Sequence, residues 1–137
     1  MTALDPIPPF DPATTFVHLH GGRAEVMPVD EQFWPTVISG QRPLPGWLMT
    51  ASSWAADPAV AAGGHSEVHP HGDEVHLCIS GAMTAVLEGD EGERRVDFDA
   101  GQVCVIPAGV WHRLEASQDS RVLSVTFGEG SEHRPAP

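Results

Sequence analysis

The chain has 137 residues, 41% of them apolar, with seven arginines, no lysine and nineteen acidic residues for a formal net charge of −12. That length suffices for one domain with one core, and the apolar runs fall far short of the roughly 18–20 residues that span a bilayer. So negative a field repels phosphate backbones and anionic lipid, which excludes nucleic acid and membrane surfaces as partners and leaves small molecules.

Residues 1–13 carry four prolines and read as an arm. They hold neither a basic nor an apolar leader region, so a cytoplasmic protein is expected. β-like segments follow at Phe16–His20, Ala24–Pro28, Trp47–Trp54, Val75–Ile79, Met83–Glu88, Arg94–Phe98, Val103–Ile106, Trp111–Glu115 and Arg121–Phe127. Period-2 alternation is clearest in Arg121–Phe127 and in Val96–Asp99. Turn-formers separate the segments: GG, GD, EGE, DAG, PAG and SQDS. Asp30–Val37 is expected to make one turn of helix before Pro35 interrupts it, and AADPAVAA (55–62) no more than a turn. Residues 128–137, GEGSEHRPAP, have no periodicity and read as a second arm. Many short strands with frequent turns predict an all-β sandwich or barrel. Cys78 and Cys104 lie in strand-like segments without C-x-x-C spacing and are expected to be small buried hydrophobes.

The densest chemistry is in GGHSEVHPHGDEVHLCISG, residues 63–81, which holds four of the eight histidines. Residues i and i+2 share a face of a strand. If residues 67–71 are extended, Glu67, His69 and His71 line one side; Glu74, His76 and Cys78 do so on the next strand. Pro70 to Asp73 would make the corner. A second pattern runs from Gly101 through Pro107-Ala-Gly109 to His112, a turn that returns the chain and starts a strand with histidine.

Together these residues resemble the cupin superfamily, whose motifs are written G(X)5HXH(X)3,4E(X)6G and G(X)5PXG(X)2H(X)3N. The second fits from Gly101 through His112, with Ala116 in place of the asparagine. The first fits in two registers: Gly63 leading to His69-Pro-His71 with Glu74 one residue early, or Glu67 in place of the first histidine, followed by His69, Glu74 and Gly81. The second register is favoured, because E-x-H-P-x-G-D-E is similar to a group of small bacterial cupins, as is the ending TFGEGSEHRP. The resemblance covers residues 45–134. It implies a double-stranded β-helix (jelly-roll) barrel spanning about 45–127 within a single domain of 1–137, a homodimer, and a metal in the barrel mouth.

In that register the resemblance implies one divalent transition metal per subunit (Fe, Mn, Ni or Zn), held by Glu67, His69, Glu74 and His112. Two carboxylates with two imidazoles make a hard donor set, suited to non-haem iron and dioxygen or to Lewis-acid chemistry. Glu67 reads either as the fourth ligand or as a carboxylate holding an imidazole N–H. His71 is an alternative ligand and Asp73 a turn residue. His76 shares parity with Glu74 and is expected inside, as proton carrier or as a core histidine. His18 and His20 read as structural and His133 as solvated. The four tryptophans read as packing, with Trp111 facing away from the site, and Arg113 and Arg121 as ion pairs more than substrate anchors. Three classes of function follow: a metal-dependent enzyme acting on a small organic molecule, a non-redox isomerase, epimerase or cyclase, and a non-catalytic ligand-binding protein. Neutral imidazole is the metal-binding form, so acidification below about pH 6 is expected to release the ion.

Overall fold

A computed structural model describes residues 7–56 and 64–137. Eleven strands and one short helix form among them. They are β1 (Thr15–His20), β2 (Arg23–Pro28), α1 (Phe33–Ile38), β3 (Trp47–Trp54), β4 (His65–Val68), β5 (Glu74–Ser80) and β6 (Ala82–Gly89), then β7 (Gly92–Asp99), β8 (Val103–Ile106), β9 (Trp111–Ala116), β10 (Ser120–Phe127) and β11 (Glu132–Pro135). Two antiparallel sheets face each other, one of order β2-β1-β3-β10-β5-β8 and one of order β11-β4-β9-β6-β7. This is the expected jelly roll. No helix among the described residues is long and apolar enough to cross a membrane.

All nine expected strands are present, within two residues at each end. Three details differ. Pro35 lies inside α1 instead of interrupting it: it is the third helical residue, where the missing N–H would have had no partner within the helix. β4 stops at Val68, so residues 67–71 do not run on as one strand. The C-terminal arm is tied down, because β11 pairs with β4 from Glu132 opposite Val68 to Pro135 opposite His65. The AADPAVAA segment lies outside the described residues from Asp57 onward, as does Gly63.

Between the sheets, Cys78, Met83, Ala85, Phe98, Cys104, Ile106 and Val122 form the barrel floor. Both cysteines are buried and free, as expected. A second cluster of Phe16, Met27, Phe33 and Leu48 joins α1 to the β1–β3 end of the larger sheet, with the Phe16 and Phe33 rings edge-to-face at 5.1 Å. The outer face of the larger sheet is also apolar. Cross-strand register aligns Val105, Val75, Val125, Met49 and Val17 in one row and Val103, Leu77, Leu123 and Ala51 in the next. Val103 and Val105 are more than half exposed there.

Candidate metal centre

Glu67 lies on β4 and His112 opens β9, and the two are direct cross-strand partners. Between Glu67 and the turn stands His69. A residue before proline is held extended, so Pro70 carries the strand's alternation one step past Val68 and keeps His69 on the side of Glu67. The facing sheet brings Glu74 inward from β5. The turn before His112 is bolted to this loop: the Gly109 N–H donates to the His69 carbonyl and the Ala108 N–H to Asp73 Oδ1, each at 2.9 Å. Gly109 takes φ of 80° there, a conformation that side chains disfavour. The Pro-Ala-Gly spacing therefore has a mechanical reading: it docks the turn on His69 and delivers His112 beside it. Asp73 is the turn residue expected.

One donor atom from each of Glu67, His69, Glu74 and His112 lies within 4.8 Å of the others. The His69 and His112 ring centroids are 5.5 Å apart. His112 Nε2 stands 2.9 Å from Glu74 Oε1, and His69 Nε2 stands 3.0 Å from Glu74 Oε2. Glu67 Oε1 is 3.5 Å from His69 Nε2 and 3.6 Å from His112 Nε2. Atoms bound about 2.1 Å from one ion stand roughly 3.0 Å apart at right angles and roughly 3.4 Å apart in a tetrahedron, so this spacing fits a single metal.

The tautomers point the same way. His112 Nδ1 lies 2.9 Å from the Val110 carbonyl, which only accepts, so Nδ1 carries a hydrogen and Nε2 is the nitrogen turned to the cluster, 2.9 Å from Glu74 Oε1. Ser131 Oγ–H donates to the Gly128 carbonyl at 2.7 Å, so the same oxygen accepts from His69 Nδ1–H at 2.7 Å. His69 Nε2 is buried without a hydrogen-bond partner: its 3.0 Å approach to Glu74 lies off the line a hydrogen bond needs. Two imidazoles and two carboxylates converging on one point could hold a metal ion. Outer contacts hold Glu74 as well. Thr126 Oγ1 donates to its Oε2 at 2.6 Å, and His76 Nε2–H donates to its Oε1 at 2.6 Å.

Comparison with known proteins agrees with the fold. The family model of the cupin domain (Cupin_2) matches residues 58–128, more than half of the chain. The chain belongs to the cupin superfamily. Among solved structures, this cupin is similar to a cupin-2 domain protein of Shewanella frigidimarina at 18% identity and a TM-score of 0.46, over 59% of this chain and 70% of that one. It is similar to a cupin superfamily protein of Desulfitobacterium hafniense at 20% identity and a TM-score of 0.46, over 59% and 66%. It is also similar to the hydroxypropylphosphonic acid epoxidase of S. wedmorenis at 14% identity and a TM-score of 0.50, over 59% of this chain but only 43% of that enzyme. None of the curated proteins matches it in sequence.

Charge in the cupin's centre is mutually compensated. Burial works against ionising Glu67, and the neighbouring imidazoles of His112 and His69 outweigh it, holding the carboxyl at about 2. Burial likewise opposes ionisation of Glu74, yet His112, His69 and His76 hold it well below the usual carboxylate range. In the metal-free protein, burial opposes protonating His69 and His112, but the two carboxylates prevail and raise them to about 9 and about 10. Two protons then sit among the four side chains.

The remaining expectations sort by geometry. His76 is buried, with Nδ1 2.7 Å from Ser124 Oγ and Nε2 on Glu74, so both ring nitrogens are engaged. His71 is exposed beyond Pro70 and does not join the cluster. His18 is buried on the inner face against the Pro45 carbonyl, stacked on His20. Arg113 sits in an ion cluster with Glu88, Glu93 and Glu115, away from the centre, and Arg134 caps the Trp111 ring at 4.0 Å on that outer side. Ser131, Ser124 and Thr126 were not singled out from sequence. The two β10 residues had a usable signal, since alternation places them opposite His76 and Glu74; Ser131 had none.

Proposed function

We propose that this cupin is a metal-dependent enzyme acting on a small organic molecule, with one divalent transition metal (Fe, Mn, Ni or Zn) held by Glu67, His69, Glu74 and His112. The observation that carries the reading is the orphaned, buried His69 Nε2 at the meeting point of three other donors. When bound, such an ion supplies Lewis acidity toward an oxygen of the substrate and, if redox-active, dioxygen activation. Glu67 keeps a side-chain exposure of 35% while the other three donors' side chains keep 6% or less, so a substrate reaches the centre past Glu67.

The chain's own residues have distinct parts in this reading. Val110 and Ser131 hold the two imidazoles in the metal-binding tautomer. Thr126 and His76 fix the two Glu74 oxygens. His76 remains the proton carrier, but through Glu74: its Nε2 proton rests on a carboxylate that faces the centre, and the ring itself does not. At the level of fold, the epoxidase of S. wedmorenis gives a precedent, having been crystallised with Fe(II) and in complex with fosfomycin. The partner is a small molecule, and the subunit is a homodimer that pairs through the apolar outer rows of the larger sheet; Val105→Glu at that surface is expected to yield monomers in sedimentation.

The test is metal analysis followed by assay. Purified protein should carry close to one transition metal per chain, and His69→Ala should lose it. Fe(II)-dependent oxygen uptake with a substrate supports dioxygen activation, whereas turnover with Zn(II) under anaerobic conditions supports acid–base chemistry. Wild-type protein that takes up no transition metal at all would overturn the proposal.

A further inference from the structure

The family match ends at residue 128, yet the chain beyond it returns to the centre. Residues 128–131 form a turn in which the Ser131 N–H and Oγ–H both donate to the Gly128 carbonyl. The turn seats on the ligand loop. At Gly130, where φ is 76°, an added Cβ would stand 3.0 Å from the His71 ring and 3.3 Å from Pro70, too close for an ordinary side chain. β11 then pairs with β4, which places His133 opposite Glu67 with Nδ1 3.9 Å from Glu67 Oε2. The Ala136 N–H closes the strand on the Gly64 carbonyl at 2.9 Å.

We infer that Ser131 is a positioning residue of the metal centre, held in place by the C-terminal strand, and that it sets the His69 tautomer. The inference rests on the metal-centre reading above. Its logic is a chain of single hydrogens. A serine hydroxyl has one proton, and the Gly128 carbonyl takes it. The oxygen is then left only to accept, and the group that faces it at 2.7 Å is His69 Nδ1. A hydrogen on Nδ1 leaves the lone pair on Nε2, the atom that faces Glu67 and Glu74. Without the hydroxyl, the hydrogen is free to move to Nε2, where it blocks coordination and finds an acceptor in either carboxylate. The outer partners of metal-ligating histidines carry such weight generally, and their loss costs about 10–100-fold in metal affinity.

The experiment is Zn(II) affinity by competition with a chromophoric chelator, run on full-length protein beside imidazole 15N NMR of His69. Ser131→Ala is expected to bind Zn(II) about 10–100-fold more weakly and, metal-free at a pH where His69 is neutral, to show His69 with hydrogen shifted toward Nε2. Ser131→Thr keeps the hydroxyl and is expected to restore both. Glu132→Gln, an exposed change at the start of β11 next to Ser131, should leave both unaltered. A Ser131→Ala protein with wild-type Zn(II) affinity and the hydrogen still on Nδ1 overturns the inference, as does equal weakening by Glu132→Gln, which would make the effect one of strand docking. Failure of the underlying reading is separable: there, His69→Ala itself would leave Zn(II) affinity unchanged.

Discussion

The inward stripes of the barrel carry two chemistries, and on β5, β9 and β10 polar residues give way to apolar ones along the strand. On β5, Glu74 and His76 give way to Cys78; on β10, Thr126 and Ser124 give way to Val122; on β9, His112 gives way to Leu114. Register keeps the levels aligned, with Glu74 opposite Thr126, His76 opposite Ser124 and Cys78 opposite Val122. In the floor, apolar side chains stabilise the fold by leaving water, and any well-fitting neighbour serves. In the upper layer each polar atom needs its own counterpart, so the fold holds the layer more than the layer holds the fold. The two levels should therefore break differently.

The largest expected loss of stability lies in the floor. Phe98→Ala empties a fully buried ring site and should cost about 3–5 kcal/mol in urea unfolding, while the protein that stays folded binds metal normally. If its folded fraction lost metal as His112→Ala does, the two levels would be one unit. His112→Ala is the reciprocal change: Zn(II) affinity should fall by more than about 100-fold, since a ligand matters more than the outer partners whose loss costs about 10–100-fold. Chelator competition measures it.

Proton linkage sharpens the contrast, because the floor has no part in it. In metal-free protein, His69 and His112 are raised to about 9 and about 10. Their stabilising contribution is thus complete below the ordinary imidazole value of about 6.5 and is lost as pH rises through 9 to 10. Glu67, lowered to about 2, contributes above its ordinary value and loses that contribution as pH falls through about 2. Metal-free protein should be most stable between about pH 4.5 and 6.5. Metal binding runs opposite. One ion displaces two protons, so affinity should climb about 100-fold per pH unit below pH 9, and the rise in Tm on adding Zn(II) should widen from pH 6 to pH 8. Proton competition thus reaches higher pH than an unperturbed imidazole implies. A metal affinity independent of pH over that range would contradict the assignment of both histidines. The smallest effect belongs to Glu67→Gln, the most exposed of the four donors: the amide keeps an oxygen donor and loses only the charge, for about a tenfold loss of affinity.

Much of this was legible in the residues. Glu74, His76 and Cys78 alternate, and alternation alone sends them to one face; Pro107-Ala-Gly109 before His112 is a turn whose docking the spacing encodes. What escaped was held by other means. β11 is exposed along its length and is fastened by backbone hydrogen bonds to β4, which leave no hydrophobic pattern to read. Ser131 acts through a contact 62 residues away in sequence, beyond any local rule. His71 reads as an alternative ligand only where residues 67–71 run on as one strand; β4 stops at Val68, and His71 is exposed.

The most direct measurement is a Zn(II) titration followed by imidazole 15N NMR at pH 8. Both His69 and His112 should pass from the protonated form to Nε2-bound, Nδ1–H imidazole in step, saturating at one ion per chain. Saturation with either ring left protonated would contradict a centre that both imidazoles ligate.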